Sequence, residues 1–485
     1  MKQDDVSKPP RRQIDRRQFL GKAGAAAGLV VGLPNGELQA EPEERPNLVF
    51  VFADQLRAQA CGYAGDPNLV TPNLDRLAGE SLQFAAAVSG CPVCCPYRAS
   101  LMTGQYPLTH GIFLNDLHLP DTSVTIGKAF SRAGYDTAYI GKWHLNGRGR
   151  SAFIPPDNRQ GFRFWRVLEC THDYNNSFYY GDDTTRRTWN GYDAIAQTAE
   201  AETYLRGRDG RKPFALFLSW GPPHNPYQTA PPEYRARFQP DQIRLRPNVP
   251  AEKAVSARQA LAGYYAHIAA LDGCLGQILN TLRSEGLEKN TILVFTSDHG
   301  DMLGSHSQTT KQRPWDESIL VPFLLRFPKR FGSGRRRVDA ILNTPDIMPT
   351  LLGLCGIKIP SCVEGTDLFA GGRSSRNSAA LIASYSPFHD WAKKRGGREF
   401  RGVRTAACTY VRDLQGPWLL YDNLKDPFQE VNRCGDPDFG PVRRSLDEIL
   451  RQKLEETHDE FLPAEEYIRR FAYVTNDLGE VPYEK

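Results

Sequence analysis

The sequence predicts an α/β fold: a large, doubly wound, mostly parallel sheet flanked by helices, followed by a smaller subdomain of short strands. Three observations predict it. Nearly unbroken apolar runs recur between Asn47 and Thr296, and such runs fit strands buried on both faces of a parallel sheet. Helical patterns alternate with them, as a doubly wound sheet requires. Beyond about residue 375 the runs shorten and crowd together, which marks a second unit.

The first strand is Asn47-Leu48-Val49-Phe50-Val51-Phe52, which runs into Ala53-Asp54-Gln55. Helical patterns follow near Thr71 to Ser81 and Ser123 to Ala133. Asp136-Thr137-Ala138-Tyr139-Ile140 leads into Gly141-Lys142-Trp143-His144. Phe214 to Trp220 leads into Gly221-Pro222-Pro223-His224. The repeated Ala, Leu and Ile positions from Ala254 to Glu285 give a helix with a buried stripe. Thr291 to Thr296 then leads into Ser297-Asp298-His299-Gly300-Asp301. Ligands of open α/β sheets bind outside the carboxyl ends of the strands. Four strands therefore deliver Asp54, Lys142, His144, His224, Asp298 and His299 to one edge, a set that solvent-facing loops do not explain. Ser374-Ser375-Arg376-Asn377-Ser378 divides a catalytic domain, 46–375, from a smaller α+β subdomain, 376–485. The latter shows short strands at Leu381–Tyr385, Arg401–Thr405, Cys408–Arg412 and Trp418–Asp422, and a helix from Val442 to Phe461.

With 485 residues the chain can bury a large core and hold more than one domain. The formal charge is +4, but residues 1–40 hold seven Lys or Arg against four Asp or Glu. The rest is nearly neutral, which argues against a nucleic-acid binder. Arg16-Arg17-Gln18-Phe19-Leu20-Gly21-Lys22 resembles a twin-arginine export motif, with Asp15 where Ser or Thr is usual. The apolar stretch Ala23–Leu33 is too short for an ordinary anchor, and Leu38-Gln39-Ala40 fits a cleavage site. Residues 1–40 thus read as a signal peptide of a bacterial periplasmic or secreted enzyme with no stable membrane anchor. The ten cysteines form no paired zinc spacing. Oxidising export permits disulfides, and Cys355 with Cys362 is one local pair.

The most informative segment is Cys91-Pro92-Val93-Cys94-Cys95-Pro96-Tyr97-Arg98-Ala99-Ser100-Leu101-Met102-Thr103-Gly104. Pro96 suits the first turn of a helix, which puts Cys94 just before the helix N-terminus. Free N–H groups and the dipole there favour anions and acidify a thiol. A buried free cysteine is the plainer alternative. The Cys-x-Pro-x-Arg core with its Leu-Met-Thr-Gly tail resembles the signature of type I, formylglycine-dependent sulfatases, within the alkaline-phosphatase-like superfamily. The resemblance covers most of the chain. It implies a sulfatase-like α/β domain and a C-terminal antiparallel sheet packed with a terminal helix. It also implies that a formylglycine-generating enzyme oxidises Cys94.

Asp54 and Asp298 are hard oxygen donors suited to Ca²⁺ or Mg²⁺. The resemblance adds Gln55, the modified Cys94 and His299 to a divalent cation, usually calcium. The family often carries Asp at position 55; the amide oxygen of Gln55 can ligate with one less charge. By the same resemblance, the hydrated formylglycine attacks sulfur and expels the alcohol, and sulfate then leaves as the aldehyde returns. Arg98, with Lys142, orients the modified side chain. His144 is the candidate base, His224 the candidate acid at the leaving oxygen, and Lys311 neutralises sulfate charge.

Specificity lies in loops. Residues 169–183 mix polar and aromatic side chains, which suits a sugar, and His172 and Asp173 are the candidates there. His110, Asn115 and Asp116 are further candidates for the pocket wall. The reading is a hydrolase of sulfate esters, on a sulfated carbohydrate or another organic sulfate. One alternative is a formylglycine-dependent phosphonate monoester hydrolase or phosphodiesterase, whose metal pattern resembles Asp54-Gln55 and Asp298-His299. The Gly-Lys-Trp-His segment at 141–144 favours the sulfatase side. The other alternative is an inactive exported protein that binds sulfated glycans, which would not need the Cys94, Arg98, Lys142, His144, His224 and Lys311 set.

Overall fold

The computed structural model describes residues 44–372 and 378–482. The export segment, residues 1–40, and the boundary stretch through Asn377 lie outside the described residues. In chain order the first strands are β1 (Asn47–Asp54), β2 (Leu82–Val88), β3 (Asp136–Lys142), β4 (Phe164–Leu168) and a small hairpin, β5 (Phe178–Tyr179) with β6 (Arg187–Thr188). They are followed by β7 (Phe214–Pro223), β8 (Thr291–Ser297), β9 (Phe323–Arg326) and β10 (Arg336–Asn343). The hairpin apart, these strands form one sheet in the order β10-β2-β9-β8-β1-β7-β3-β4. Strand β9 runs against both its neighbours, and every other pair is parallel.

Strand β1 lies at the centre, where Phe50 faces Phe217 of β7 on one side and Val294 of β8 on the other. Its side chains alternate between two cores. Leu48, Phe50 and Phe52 enter one, and Val49, Val51 and Ala53 the other. Both faces are covered, so the run needs no polar alternation. The 31-residue helix Ala254–Ser284 buries Leu261, Ile268, Leu275 and Leu282 against the second core. The expected helices appear as Pro72–Gly79 and Ile126–Arg132.

The signature segment forms the helix Cys94–Thr103, buried along its whole length and closed by Gly104 at φ 66°. Val93 caps it, so Cys94 is its first residue and does not stand ahead of it. The second sheet, β11 (Ala379–Ser384), β12 (Phe400–Thr405), β13 (Cys408–Asp413) and β14 (Gly416–Asp422), is antiparallel throughout. It joins the first through a shared cluster in which Ile382, Phe400 and Val411 meet Val88 and Ile341. A buried pair, Arg404 Nε to Asp316 Oδ1 at 2.9 Å, also ties the second sheet to the short helix Asp316–Ile319. The expected helix is Gly440–Glu456; it stops short of Phe461 because His458 turns to φ 51°, and a last helix, Ala464–Arg470, follows. All ten cysteines are free thiols. The Cys355–Cys362 pair does not form: Cys355 is buried and hydrogen-bonds Tyr135, whereas Cys362 is exposed. No helix among the described residues is long and apolar enough to cross a membrane.

Candidate active site

The carboxyl ends of β1, β3, β7 and β8 and the first turn of the helix Cys94–Thr103 meet at one cavity of about 490 Å³. Gln55, Cys94, Lys142, His144, His172, His224 and Lys311 line it. Backbone geometry at these strand ends is unusual. Gln55 and His144 adopt φ 70° and 58°, a region most side chains avoid. At Gly141 a Cβ would stand 2.0 Å from the Ser219 carbonyl oxygen, so only glycine lets β3 approach β7 there and carry Lys142 into the site.

Two buried carboxylates divide their oxygens between cations and the cavity. Asp54 Oδ2 accepts from Lys142 Nζ at 2.7 Å and from Arg98 Nη2 at 3.2 Å. Asp298 Oδ2 takes the same Arg98 nitrogen at 3.3 Å. Arg98 is fixed in turn by the Lys142 carbonyl and Ser219 Oγ, each at 2.8 Å, and its guanidinium lies 4.9 Å from the Phe52 ring centre. Asp54 Oδ1 lies 3.6 Å from both Cys94 Sγ and His299 Nε2. Asp298 Oδ1 accepts from the Gln55 and His299 backbone N–H groups, each at 2.9 Å.

This set suits a divalent cation. One donor atom each from Asp54, Cys94, Asp298 and His299 lies within 4.8 Å of the others. His299 Nδ1 is engaged with the Gly300 carbonyl at 3.0 Å, which leaves Nε2 as the ring nitrogen facing the cluster. Gln55 donates through Nε2 to Asp301 Oδ2 at 2.7 Å, and its carbonyl Oε1 is buried without a partner. Two carboxylates and an amide oxygen are hard donors. Sequence reasoning missed Asp301, the residue that aims the Gln55 amide, although it ends the same Ser-Asp-His-Gly-Asp run.

Cationic groups surround position 94. Cys94 Sγ is 3.0 Å from Lys311 Nζ, 3.3 Å from His299 Nε2 and 3.9 Å from Lys142 Nζ. Burial and Asp54 oppose a thiolate here, yet Lys142, Lys311 and His299 outweigh them and hold the thiol well below its usual range. Burial likewise pushes against ionised Asp54, but the Lys142 and Lys311 charges keep it a carboxylate. Asp298 is pushed up to about 6 by burial and by the Asp54 charge beside it. Lys311 Nζ also meets His224 Nε2 at 3.1 Å, while His224 Nδ1 faces the Asn225 carbonyl at 2.8 Å. Burial, reinforced by Lys311, keeps His224 neutral.

His144 Nε2 is 2.6 Å from Asp116 Oδ1, and Asp116 Oδ2 takes Arg150 Nη2 at 3.1 Å. Burial opposes a charge on this histidine, but Cys95, Cys170 and Asp116 raise it well above the usual imidazole value. His172 stacks on His224, ring centres 4.4 Å apart, and so belongs to the cavity. Asp173 does not. It is exposed and accepts from the Asn176 N–H at 3.2 Å, closing a turn. Asn115 and Asp116 line the cavity, whereas His110 is buried away from it against Ser100 Oγ at 3.0 Å. The far wall, unanticipated, comes from Phe388, His389, Asp390 and residues 476–482. No local motif marks them; they reach the site only through the tertiary fold.

Comparison with known proteins agrees with this architecture. The Sulfatase family model matches residues 46–357, and the model for the C-terminal part of N-sulphoglucosamine sulphohydrolase matches residues 304–457. An ulvan-active sulfatase of Formosa agariphila is 43% identical over 92% of this chain and 88% of its own. An endo-4-O-sulfatase of Bacteroides thetaiotaomicron is 34% identical over 81% of this chain and 89% of its own. A solved protein from the glycosaminoglycan metabolism of the same bacterium superposes with a TM-score of 0.76 and 31% identity, covering 88% of this chain and 99% of its own. The chain belongs to the sulfatase family and is a sulfuric ester hydrolase.

Proposed function

We propose that this enzyme removes sulfate esters from a sulfated carbohydrate in the bacterial periplasm or outside the cell, using an oxidised Cys94 and a divalent cation. The observation that carries the reading is the closure of Lys142, Lys311 and His299 around Cys94 Sγ, beside Asp54, whose Oδ1 lies 3.6 Å from the same atom. The relatives named for ulvan and for endo-4-O-sulfate removal support the substrate class. Asp54, Gln55, Asp298 and His299 would hold the cation, Ca²⁺ or Mg²⁺. When present, the oxidised Cys94 supplies the attacking oxygen and the cation supplies positive charge to the sulfate oxygens.

The chain's own residues divide the remaining work. Lys142 and Lys311 neutralise the sulfate with charges held in place before it binds. Arg98 locks the two aspartates and thereby the geometry at position 94. Lys311 donates to neutral His224 at Nε2, so the pair holds the proton that the leaving oxygen requires. Asp116 engages His144 at Nε2 and leaves Nδ1, which has no other partner, to take a proton from the group at position 94. His172 stacked on His224 forms one wall for the sugar.

The test is direct. Protein made with a formylglycine-generating enzyme should yield a Cys94 peptide with the mass of an aldehyde or its hydrate, and should release sulfate from a sulfated polysaccharide. An unmodified thiol with full turnover overturns the role of oxidised Cys94. Faster turnover of an aryl phosphodiester than of an aryl sulfate moves the protein to the phosphonate and phosphodiester side. Retention of a sulfated glycan without sulfate release makes it a binding protein. Replacing Arg16 and Arg17 with Lys should strand the protein in the cytoplasm; unchanged export overturns the twin-arginine route.

A further inference from the structure

A second cavity, of about 360 Å³, is lined by Arg57, Gln59, Asp66, Arg244, Arg246 and Phe428. None of these residues lines the catalytic cavity. Arg57 follows Gln55 by two residues, so one short loop presents a cation ligand to the first cavity and an arginine to the second. Tyr264 ties that loop down, donating to the Gln55 carbonyl at 2.7 Å and accepting from the Arg57 N–H at 2.9 Å.

Arg57 is 1% exposed, its Nε has no hydrogen-bond partner, and its guanidinium forms no ion pair among the described residues. The nearby acids are already engaged. Asp66 accepts from the Asn68 N–H at 2.9 Å and from Tyr265 at 2.8 Å. Glu317 accepts from Arg246 Nε at 3.0 Å and Asn248 Nδ2 at 2.7 Å. Gln59 Oε1 is also buried and unpartnered. A buried guanidinium normally meets an anion in hydrogen-bonding geometry, and its planar donor fork matches a tetrahedral oxyanion. Arg244, exposed at the mouth, adds a second cation, and the Arg246 guanidinium lies 4.8 Å from the Phe428 ring centre. A cavity of about 360 Å³ is roomier than a bare oxyanion needs, which leaves space for a sugar ring carrying the sulfate.

We propose that this cavity is a second, non-catalytic binding site for a sulfate group, free or carried on a saccharide, with Arg57 as its buried anchor and Arg244 at its mouth. Two measurements test it. Crystals soaked in selenate should show a selenium anomalous peak within hydrogen-bond distance of the Arg57 guanidinium. In solution, calorimetric titration with sodium sulfate is run in a Lys311→Ala background, which weakens sulfate binding in the catalytic cavity. There, Arg244→Ala should weaken sulfate binding by roughly tenfold, the loss of one charge-assisted contact, and Arg57→Met should abolish it. Arg244 is exposed, so its replacement decides the matter even if Arg57→Met does not fold. Tighter binding of a sulfated disaccharide than of sulfate assigns the site to substrate chains; equal binding assigns it to released sulfate. Absence of the peak, with sulfate affinity unchanged by Arg244→Ala, overturns the site.

Discussion

Gln55 shows how one side chain serves two neighbours of opposite demand. Its Nε2 is spent on Asp301, so its carbonyl oxygen is the end left for a cation. Asp301→Asn would offer an N–H to that carbonyl and reverse the amide, turning an –NH₂ toward the cation ligands. Supporting residues of this kind typically change metal affinity 10–100-fold. We expect Ca²⁺ affinity, measured calorimetrically, to fall by about that factor, and an unchanged affinity would show that Gln55 takes no part in binding. Asp116 supports His144 in the same indirect way. Its carboxylate, with Cys95 and Cys170, raises an imidazole that burial alone would lower. A base must be deprotonated to act, so turnover should rise with pH along a limb set above the ordinary histidine value. Asp116→Asn removes one raising charge, so that limb should move to lower pH while kcat falls. A limb that stays in place would remove His144 from the rate-limiting proton transfer. These residue-level features were legible unevenly. Cys94, Arg98, Lys142, His224, Asp298, His299 and Lys311 stood out because each lies in a short motif or at the end of an apolar run. Asp301 and Asp116 were harder to assign, because their work is done on another side chain and only the folded geometry names it.

At the scale of elements, burial decides what can be read. Strands β1, β3, β7 and β8 are covered on both faces, and their unbroken apolar runs announce them. Strand β2 carries three alanines, which suit a helix better than a strand, and edge strand β10 opens on two exposed arginines, so neither announces itself as a strand. The helix Cys94–Thr103 is wholly buried, and what encloses it includes polar groups. His110, just beyond it, is wedged between Ser100 Oγ and the Ile112 N–H, each at 3.0 Å. Burial drives its imidazole down to about 3, and His267, a buried residue of the long helix, is driven down to about 4. Both are neutral in the folded chain and protonate near pH 6.5 once unfolded. The unfolded state therefore binds more protons between these values, and stability present above pH 6.5 drains away as pH falls toward 3 to 4. Each histidine contributes about 1.4 kcal/mol per pH unit within its window. His110→Gln should flatten the fall of Tm between pH 6 and pH 4 (roughly, by the linkage slope). An equal slope in both proteins would show that acid lability arises elsewhere.

For the whole molecule, the catalytic cavity depends on both sheets. The strand ends that hold Asp54, Lys142, His224 and Asp298 belong to the first, and the wall at Phe388–Asp390 follows β11 of the second. The last described residues complete the rim: the Leu478 carbonyl accepts from the His389 N–H at 2.9 Å, and Glu480 Oε1 meets His389 Nδ1 at 2.6 Å. Two sheets and a helix-capped second unit could be anticipated from the spacing of apolar runs, but this rim could not, since His389 and Glu480 meet across 91 residues of chain and no local pattern pairs them. It carries charge as well as shape. Burial works against the Glu480 carboxylate, but Asn476, His389 and Arg150 keep it ionised. A fixed negative charge at the mouth repels a polyanionic chain while hardly affecting a small monosulfate, and the repulsion is screened by salt. Ending the chain at Val474 keeps Tyr473 on the Gly111 carbonyl and removes the charged strap. The shortened enzyme should therefore gain kcat/KM on a multiply sulfated polysaccharide relative to an aryl sulfate, by severalfold at low salt (about one Coulombic contact), with the gain fading as salt rises. A ratio that does not move, in protein whose Tm is intact, would mean that residues 476–482 shape the cavity without selecting among its substrates.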